Sequence, residues 1–341
     1  MVHERRAIRF GLAMISFAVV WKLMGSGALT PAVAVLRRPE MVSLLMYLES
    51  GWVVQAKQLQ PITRPTKPPN DPTLATTLPA TESTEPEPVA AVFAPEEGTK
   101  VKLHDSAGLE VDTQASLGQT LNWDLTGADP TVLILHTHAT ESFTKNGESY
   151  EESSHYRTLD EGYNMIRVGD ELAQTLAEYG ITVIHDRTLH DYPSYTASYN
   201  NSRKAAQKYL EQYPSIQLVL DVHRDSVELA NGRQMDTTAS RDGTEAAQLM
   251  MVVGTNAGGL VHPGWQENFA LALKLHTQLE RQMPGIMRPV NLRTERFNQD
   301  LLPGMLLVEV GAAGNTLDEA LAAAVELAHA IGALRYGANI D

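Results

Sequence analysis

A mostly parallel central β-sheet with helices on both faces is the α/β fold this sequence predicts, and three observations predict it. From Thr131 onward, apolar runs of strand length alternate with amphipathic segments of helix length over about 210 residues. The runs are almost wholly apolar, as strands covered on both faces are. Glycine or proline stands where several of the helices should stop.

The first strand is Val132-Leu133-Ile134-Leu135. A helix follows over about 163–179, and Gly180 occupies the position of a C-terminal cap. Residues 181–184 read as the next strand, and a helix over 198–213 stops before Pro214. Two more buried strands are expected at 218–222 and 249–253, then a helix over 267–283 that ends at Pro284-Gly285. Residues 305–310 form the last strand of the series, and an Ala-rich helix over 316–336 closes the chain. Upstream, Val101-Lys102-Leu103 and Leu109-Glu110-Val111 flank the turn signal Ser106-Ala107-Gly108 and predict short lead-in strands within 98–130.

The N-terminal third has a different character. Arg5, Arg6 and Arg9 precede an uncharged run from Phe10 to Trp21, and after Lys22 the run resumes from Leu23 to Ala34. Residues 1–36 therefore predict a cytoplasmic N-terminus and a single membrane anchor, with Lys22 able to snorkel toward the headgroups. A cleaved signal peptide is the alternative. The positive-inside rule leaves everything downstream outside the cytoplasm. Residues 37–60 hold a shorter apolar stretch, read as a juxtamembrane helix. Residues 61–97 form a linker with nine of the chain's 18 prolines, too polar to bury a core. The globular region is then 98–341, with its main domain at 131–341.

Composition narrows the chemistry. The 341 residues carry 27 Lys plus Arg and 41 Asp plus Glu, a net charge of −14. Such an acidic balance argues against nucleic acid as a partner, because phosphate binding draws on clustered basic side chains. With no cysteine, thiolate metal sites and a Cys nucleophile are excluded.

In parallel α/β sheets the ligand site lies beyond the carboxyl ends of the strands. The first strand runs into His136-Thr137-His138-Ala139-Thr140-Glu141, the middle one into Asp221-Val222-His223-Arg224-Asp225, and the last into Val308-Glu309-Val310-Gly311. Three buried strands thus deliver histidines and glutamates to one edge. Imidazole plus carboxylate is a donor set suited to catalytic zinc with an open position for water. Arg224 reads equally as an anion-binding group or as a buried partner of Asp221 or Asp225. Tyr192, Tyr195, Tyr199 and Arg203 form either a packed helix face or a groove wall. Asn298-Gln299-Asp300 and Pro303-Gly304 precede the last strand and could close over the site. The other histidines, among them His104, His185, His190 and His276, are expected to be structural or superficial.

The segments VLILHTHATESF, YNMIRVGDELAQTL, HDYPSYTASYNNSRKAAQKYL, LVLDVHRDS and NQDLLPGMLLVEVGAAGNTLDEA resemble the stage II sporulation protein P family over about 131–333. That family is related to zinc-dependent N-acetylmuramoyl-L-alanine amidases, so the resemblance implies an amidase-like fold of the phosphorylase/hydrolase type. It implies Zn2+ held by His136, Glu141 and His223, with His138 as the alternative first ligand and Asp160 or Glu161 as competitors to Glu141. It further implies Glu309 as the catalytic acid or base, beside Arg224. The expected substrate is peptidoglycan, cut between N-acetylmuramic acid and L-alanine during engulfment in endospore formation. Endopeptidase activity on stem peptides is also possible within the family. Expected partners are stage II sporulation proteins D and M. The alternatives are a non-catalytic peptidoglycan-binding scaffold and a zinc carboxypeptidase or endopeptidase.

Overall fold

The computed structural model describes residues 73–75, 89–145, 150 and 155–340. The expected anchor, juxtamembrane helix and most of the linker lie outside the described residues. Among those described, no helix is long and apolar enough to cross a membrane.

In chain order the elements are β1 (Thr73–Ala75), β2 (Ala91–Phe93), β3 (Leu103–Asp105), α1 (Thr113–Leu117), β4 (Val132–Leu135), α2 (Met165–Ala177), β5 (Val183–His185) and α3 (Ser198–Gln212). Then come β6 (Leu218–Asp225), β7 (Thr238–Arg241), β8 (Thr244–Ala247), β9 (Leu249–Gly254), α4 (Trp265–Gln282), β10 (Val290–Arg293), β11 (Met305–Ala312), α5 (Leu317–Ala333) and β12 (Ala338–Ile340). Local chemistry sets several boundaries. The Asn164 side chain accepts from Ile166 N and starts α2, while Thr316 and Glu319 close a reciprocal capping box on α5. Gly180, at φ +71°, turns the chain after α2 as its sequence position predicts.

Eight strands form one sheet in the order β1-β5-β4-β6-β11-β9-β10-β3. The pairs β5/β4, β4/β6, β6/β11, β9/β10 and β10/β3 are parallel, so the mainly parallel sheet is observed. Two reversals depart from expectation. β9 runs antiparallel to β11, so β9, β10 and β3 point against β5, β4, β6 and β11, and the edge strand β1 is antiparallel to β5. Strand β10 itself, Val-Asn-Leu-Arg behind Pro289, was not expected, because its four residues are short and half polar. Leu109 to Val111 is not a strand. Asp105 instead accepts from the backbone of Ala107, Gly108 and Leu109 and bends the chain away.

The two faces of the sheet are covered unequally, and this positions the site. On one face Val132, Ile134, Leu220, Val222, Val253, Leu306 and Val308 join Leu172, Phe269 and Leu327 from α2, α4 and α5 in the main core. On the other face α3 covers only the β5-β4-β6 side, where Ala206 and Tyr209 pack on Leu133, Leu135, Ile184, Val219 and Met305. Over the adjoining strands that same face carries a small cluster of Met250, Val252 and Leu307 with Phe297 against it. A cleft opens there.

Candidate active site

The cleft has a volume of about 610 Å³ and is lined by His138, Glu141, Tyr199, His223, Arg224 and Glu309, and further along by Met250, Val252, Arg288, Asn291 and Arg293. His223 on β6 and Glu309 on β11 are register partners, so the two side chains stand side by side on the uncovered face. His138 and Glu141 come from the turn after β4.

His136 is not among the lining residues. Alternation along a strand sends it to the face of Val132 and Ile134, beneath α2. It is fully buried there, with Nδ1 2.8 Å from Val222 O and Nε2 2.9 Å from His185 Nε2. Helix α2 can lie this close because residue 169 is glycine: a Cβ there would stand 2.5 Å from His136 Nε2. Burial, then the neighbouring His185, lowers the His136 pKa to about 3. Both ring nitrogens are engaged in packing the sheet, so of the two candidates for first ligand it is His138, not the favoured His136, that lines the cleft.

His138 is held as a lining residue should be. Its ring stacks on Tyr195 at 4.5 Å and meets the edge of Tyr199 at 5.6 Å. Its Nδ1 is buried without a hydrogen-bond partner among the described residues. Burial brings its pKa down to about 4, so the ring is neutral and able to act as a donor.

Burial alone would raise the Glu141 carboxyl, yet Arg224, His223 and Arg157 together hold it well below the usual carboxylate range. Arg157 Nη2 donates to Glu141 Oε1 at 3.1 Å while Nη1 donates to Asp191 at 2.7 Å. Asp160 and Glu161 do not compete for this place. Asp160 accepts from Gly162 N, and Glu161 pairs with Arg187 at 2.8 Å.

His223 sits between two carboxylates, with Nε2 2.9 Å from Asp221 Oδ1 and Nδ1 3.6 Å from Glu141 Oε2. Burial disfavours its charge, but Asp221 and Glu141 outweigh this and push its pKa well up. Asp221 is itself fixed by Thr137, whose N and Oγ1 donate to it at 2.8 and 2.6 Å. Glu309 keeps some accessible surface, but its Oε2 is buried and unpartnered among the described residues. Burial raises its pKa to about 8.

Arg224 is committed elsewhere. Its Nε donates to Ser142 O, and its Nη2 to His155 O and Tyr156 O, at 2.8 to 3.2 Å. Of its two expected carboxylate partners, Asp221 and Asp225, it meets only the Asp225 backbone O, at 3.4 Å. Its guanidinium fastens the loop that carries Glu141, and its charge reaches Glu141 Oε1 at 3.9 Å. The segment before β11 is likewise pinned rather than poised to close. Arg203 on α3 pairs with Asp300 through two bonds of 2.8 Å, and Gln299 bridges Gly254 N and Val252 O.

These residues suit a zinc ion in donor chemistry. Two donors on a tetrahedral zinc with bonds of about 2.0–2.1 Å stand roughly 3.4 Å apart. The 3.6 Å between His223 Nδ1 and Glu141 Oε2 is close to that and beyond hydrogen-bond length. The rings of His138 and His223 are perpendicular with centroids 5.3 Å apart, near the roughly 5 Å of two imidazoles on one such ion. Among the described residues no three donors converge on one point as a finished cage would. Of the residues here, Arg157, Asp191 and Arg288 carry no sequence signal of their own, and Asp221, read from sequence only as a partner of Arg224, shares the face of His223 two residues on.

Comparisons with known proteins place residues 68–332 within the family description Stage II sporulation protein P (SpoIIP). A curated relative, Stage II sporulation protein P of Bacillus subtilis (strain 168), is 31% identical over 207 residues, covering 57% of this chain and 48% of its own length. The chain thus spans about half the length of that relative. Among solved structures, the N-acetylmuramoyl-L-alanine amidase AmiC2 of Nostoc punctiforme aligns at 14% identity and a TM-score of 0.36, over 61% of this chain and 97% of its own. The N-acetylmuramoyl-L-alanine amidase from Clostridium difficile 630 aligns at 16% identity and 0.34, over 60% and 94%.

Proposed function

The chain belongs to the stage II sporulation protein P family, and on that premise we propose that it is a zinc-dependent peptidoglycan hydrolase. The bond cut is the amide between N-acetylmuramic acid and L-alanine, in septal wall degradation and engulfment during endospore formation. The observation that carries this reading is the meeting of His138, Glu141, His223 and Glu309 in one cleft.

In this reading His138, Glu141 and His223 hold the zinc, which when bound supplies Lewis acidity to the amide carbonyl and to water. Arg157 and Arg224 keep Glu141 ionised and therefore able to ligate. Asp221 orients His223 from its far nitrogen, the usual arrangement around a ligating imidazole. Glu309 Oε2 takes one proton from the attacking water as its oxygen bonds to the carbonyl carbon. When the C–N bond breaks, that proton passes to the leaving amine, and Glu309 returns to its starting state. Tyr195 and Tyr199 fix the His138 ring by contact on its face and edge.

The protein acts outside the cytoplasm, anchored by residues 1–36, with stage II sporulation proteins D and M as partners. The test is mass spectrometry of purified peptidoglycan digested by the full chain, with and without chelator. Release of intact stem peptides that stops with chelator supports the reading. Chelator-insensitive cleavage, release of free amino acids, or binding without cleavage would overturn it.

A further inference from the structure

We propose that the uncovered strip of sheet beyond Glu309 is a peptide-binding groove, and that Arg288 and Asn291 form its recognition end for a carboxylate-bearing residue. The inference rests on the hydrolase reading for the position of the scissile amide, and on the strip itself for everything else.

Register defines the strip. Asp221 pairs with Leu307, Leu307 with Val252, Val252 with Asn291, and Asn291 with His104. Paired residues share a face, so this row crosses five strands on the side that α3 leaves open. Its middle is apolar, made of Met250, Val252 and Leu307 with Phe297 beside them. Its far end is polar, and there two buried atoms are unmet among the described residues: Arg288 Nη1 and Asn291 Oδ1.

Arg288 uses one side of its fork, with Nη2 2.8 Å from Asp225 Oδ2. Its Nη1 meets no acceptor among the described residues. A buried donor or acceptor without a partner is costly, and both line the cleft that holds the hydrolytic groups. A planar guanidinium fork matches a carboxylate, and the Asn291 oxygen accepts from an amide or ammonium N–H close to it.

Distance sets the substrate position. Neighbouring strands lie about 4.8 Å apart, so β10 is about 10 Å from β11 and Glu309. An extended peptide advances roughly 3.3–3.6 Å per residue. The recognised carboxylate therefore belongs to a residue about three positions from the scissile amide, with the chain between lying across the apolar middle.

The test measures binding, not turnover. Calorimetric titration of the full chain compares a stem tripeptide with free carboxylates against the same peptide amidated at its third residue. The acid is expected to bind at least about 10-fold tighter than the amide. Arg288→Gln should remove most of that preference while changing affinity for the amide by less than about 2-fold, whereas Asn291→Ala should weaken both peptides by at least about 3-fold. Asn291→Ala keeps the proposal testable if loss of the Asp225 pair disturbs folding in Arg288→Gln. Equal affinity for acid and amide, no binding of either, or unchanged affinity for both peptides in Asn291→Ala overturns the groove. Selective binding in a protein that hydrolyses nothing would instead remove the hydrolase reading and leave the groove standing.

Discussion

Replacing His136 and His138 in turn by alanine separates a packing histidine from a lining one. His136 is completely buried, and its removal leaves Val222 O and His185 Nε2 facing a void. Unmeeting buried polar groups costs about 1–3 kcal/mol, and an imidazole-sized cavity adds roughly 2 kcal/mol. His136→Ala should therefore lose about 3–5 kcal/mol. For a unit of this size, at roughly 2–4 °C per kcal/mol, the melting midpoint falls by about 6–20 °C. His138 has an unpartnered Nδ1 and a stack on Tyr195, so His138→Ala should cost only about 1 kcal/mol. The functional consequence is the reverse. His138→Ala loses zinc and activity, whereas His136→Ala, held well below its own midpoint, keeps both. The assays are calorimetric melting, zinc content by mass spectrometry after dialysis, and release of stem peptides at 10–15 °C below the lower midpoint (about one working margin for a cooperative transition). A zinc-free, thermally unchanged His136→Ala beside a zinc-loaded, active His138→Ala would refute the assignment.

Other outcomes follow from the same geometry. Glu309→Gln should lower peptide release by about 10²–10⁴-fold, the usual range for a lost acid–base group, with zinc content unchanged. Its melting midpoint should hold or rise, because a neutral amide replaces a carboxyl that burial disfavours in its ionised form. Gly169→Ala gains about 1 kcal/mol of helix propensity but sets a Cβ 2.4 Å from His185 Nε2, so denaturant unfolding should show a net loss of about 1–3 kcal/mol. Lys274 is buried, donates to Leu117 O at 2.6 Å, and has its pKa lowered by burial to about 8 from 10.5. Between these values the unfolded chain holds a proton that the folded chain has released, so this group makes stability rise from pH 8 to pH 10.5. The increment is on the order of 3 kcal/mol, and it should vanish from urea titrations of Lys274→Met.

The legible parts of the site share one trait. Glu141, His223 and Glu309 could be grouped because each lies at or just beyond the end of a mainly apolar segment of strand length, and strand ends in one sheet converge. The choice between His136 and His138 was not legible. Val132-Leu133-Ile134-Leu135 is apolar on both faces, so nothing in it says which parity faces the cleft. Arg157 and Asp191 are 34 residues apart, and no local pattern announces that both reach Glu141's turn. Asn291 lies on a strand of only four residues with polar alternate positions, a weak signal that became meaningful once Val252 was seen to pair with it.

By itself the sequence determined the alternation of strands and helices, the carboxyl-end clustering of histidine and glutamate, and the absence of thiolate chemistry. These depend on periodicity and composition, which act over a few residues. Only the tertiary structure decided which face each buried strand turns to the cleft, that β9, β10 and β3 together run against β11, and that α3 stops short of them. Those are properties of pairing between distant segments, set by which partner completes each strand's hydrogen bonds. The histidines and glutamates of the cleft could be grouped from strand ends alone; the groove beside them exists because half of the sheet face is left uncovered.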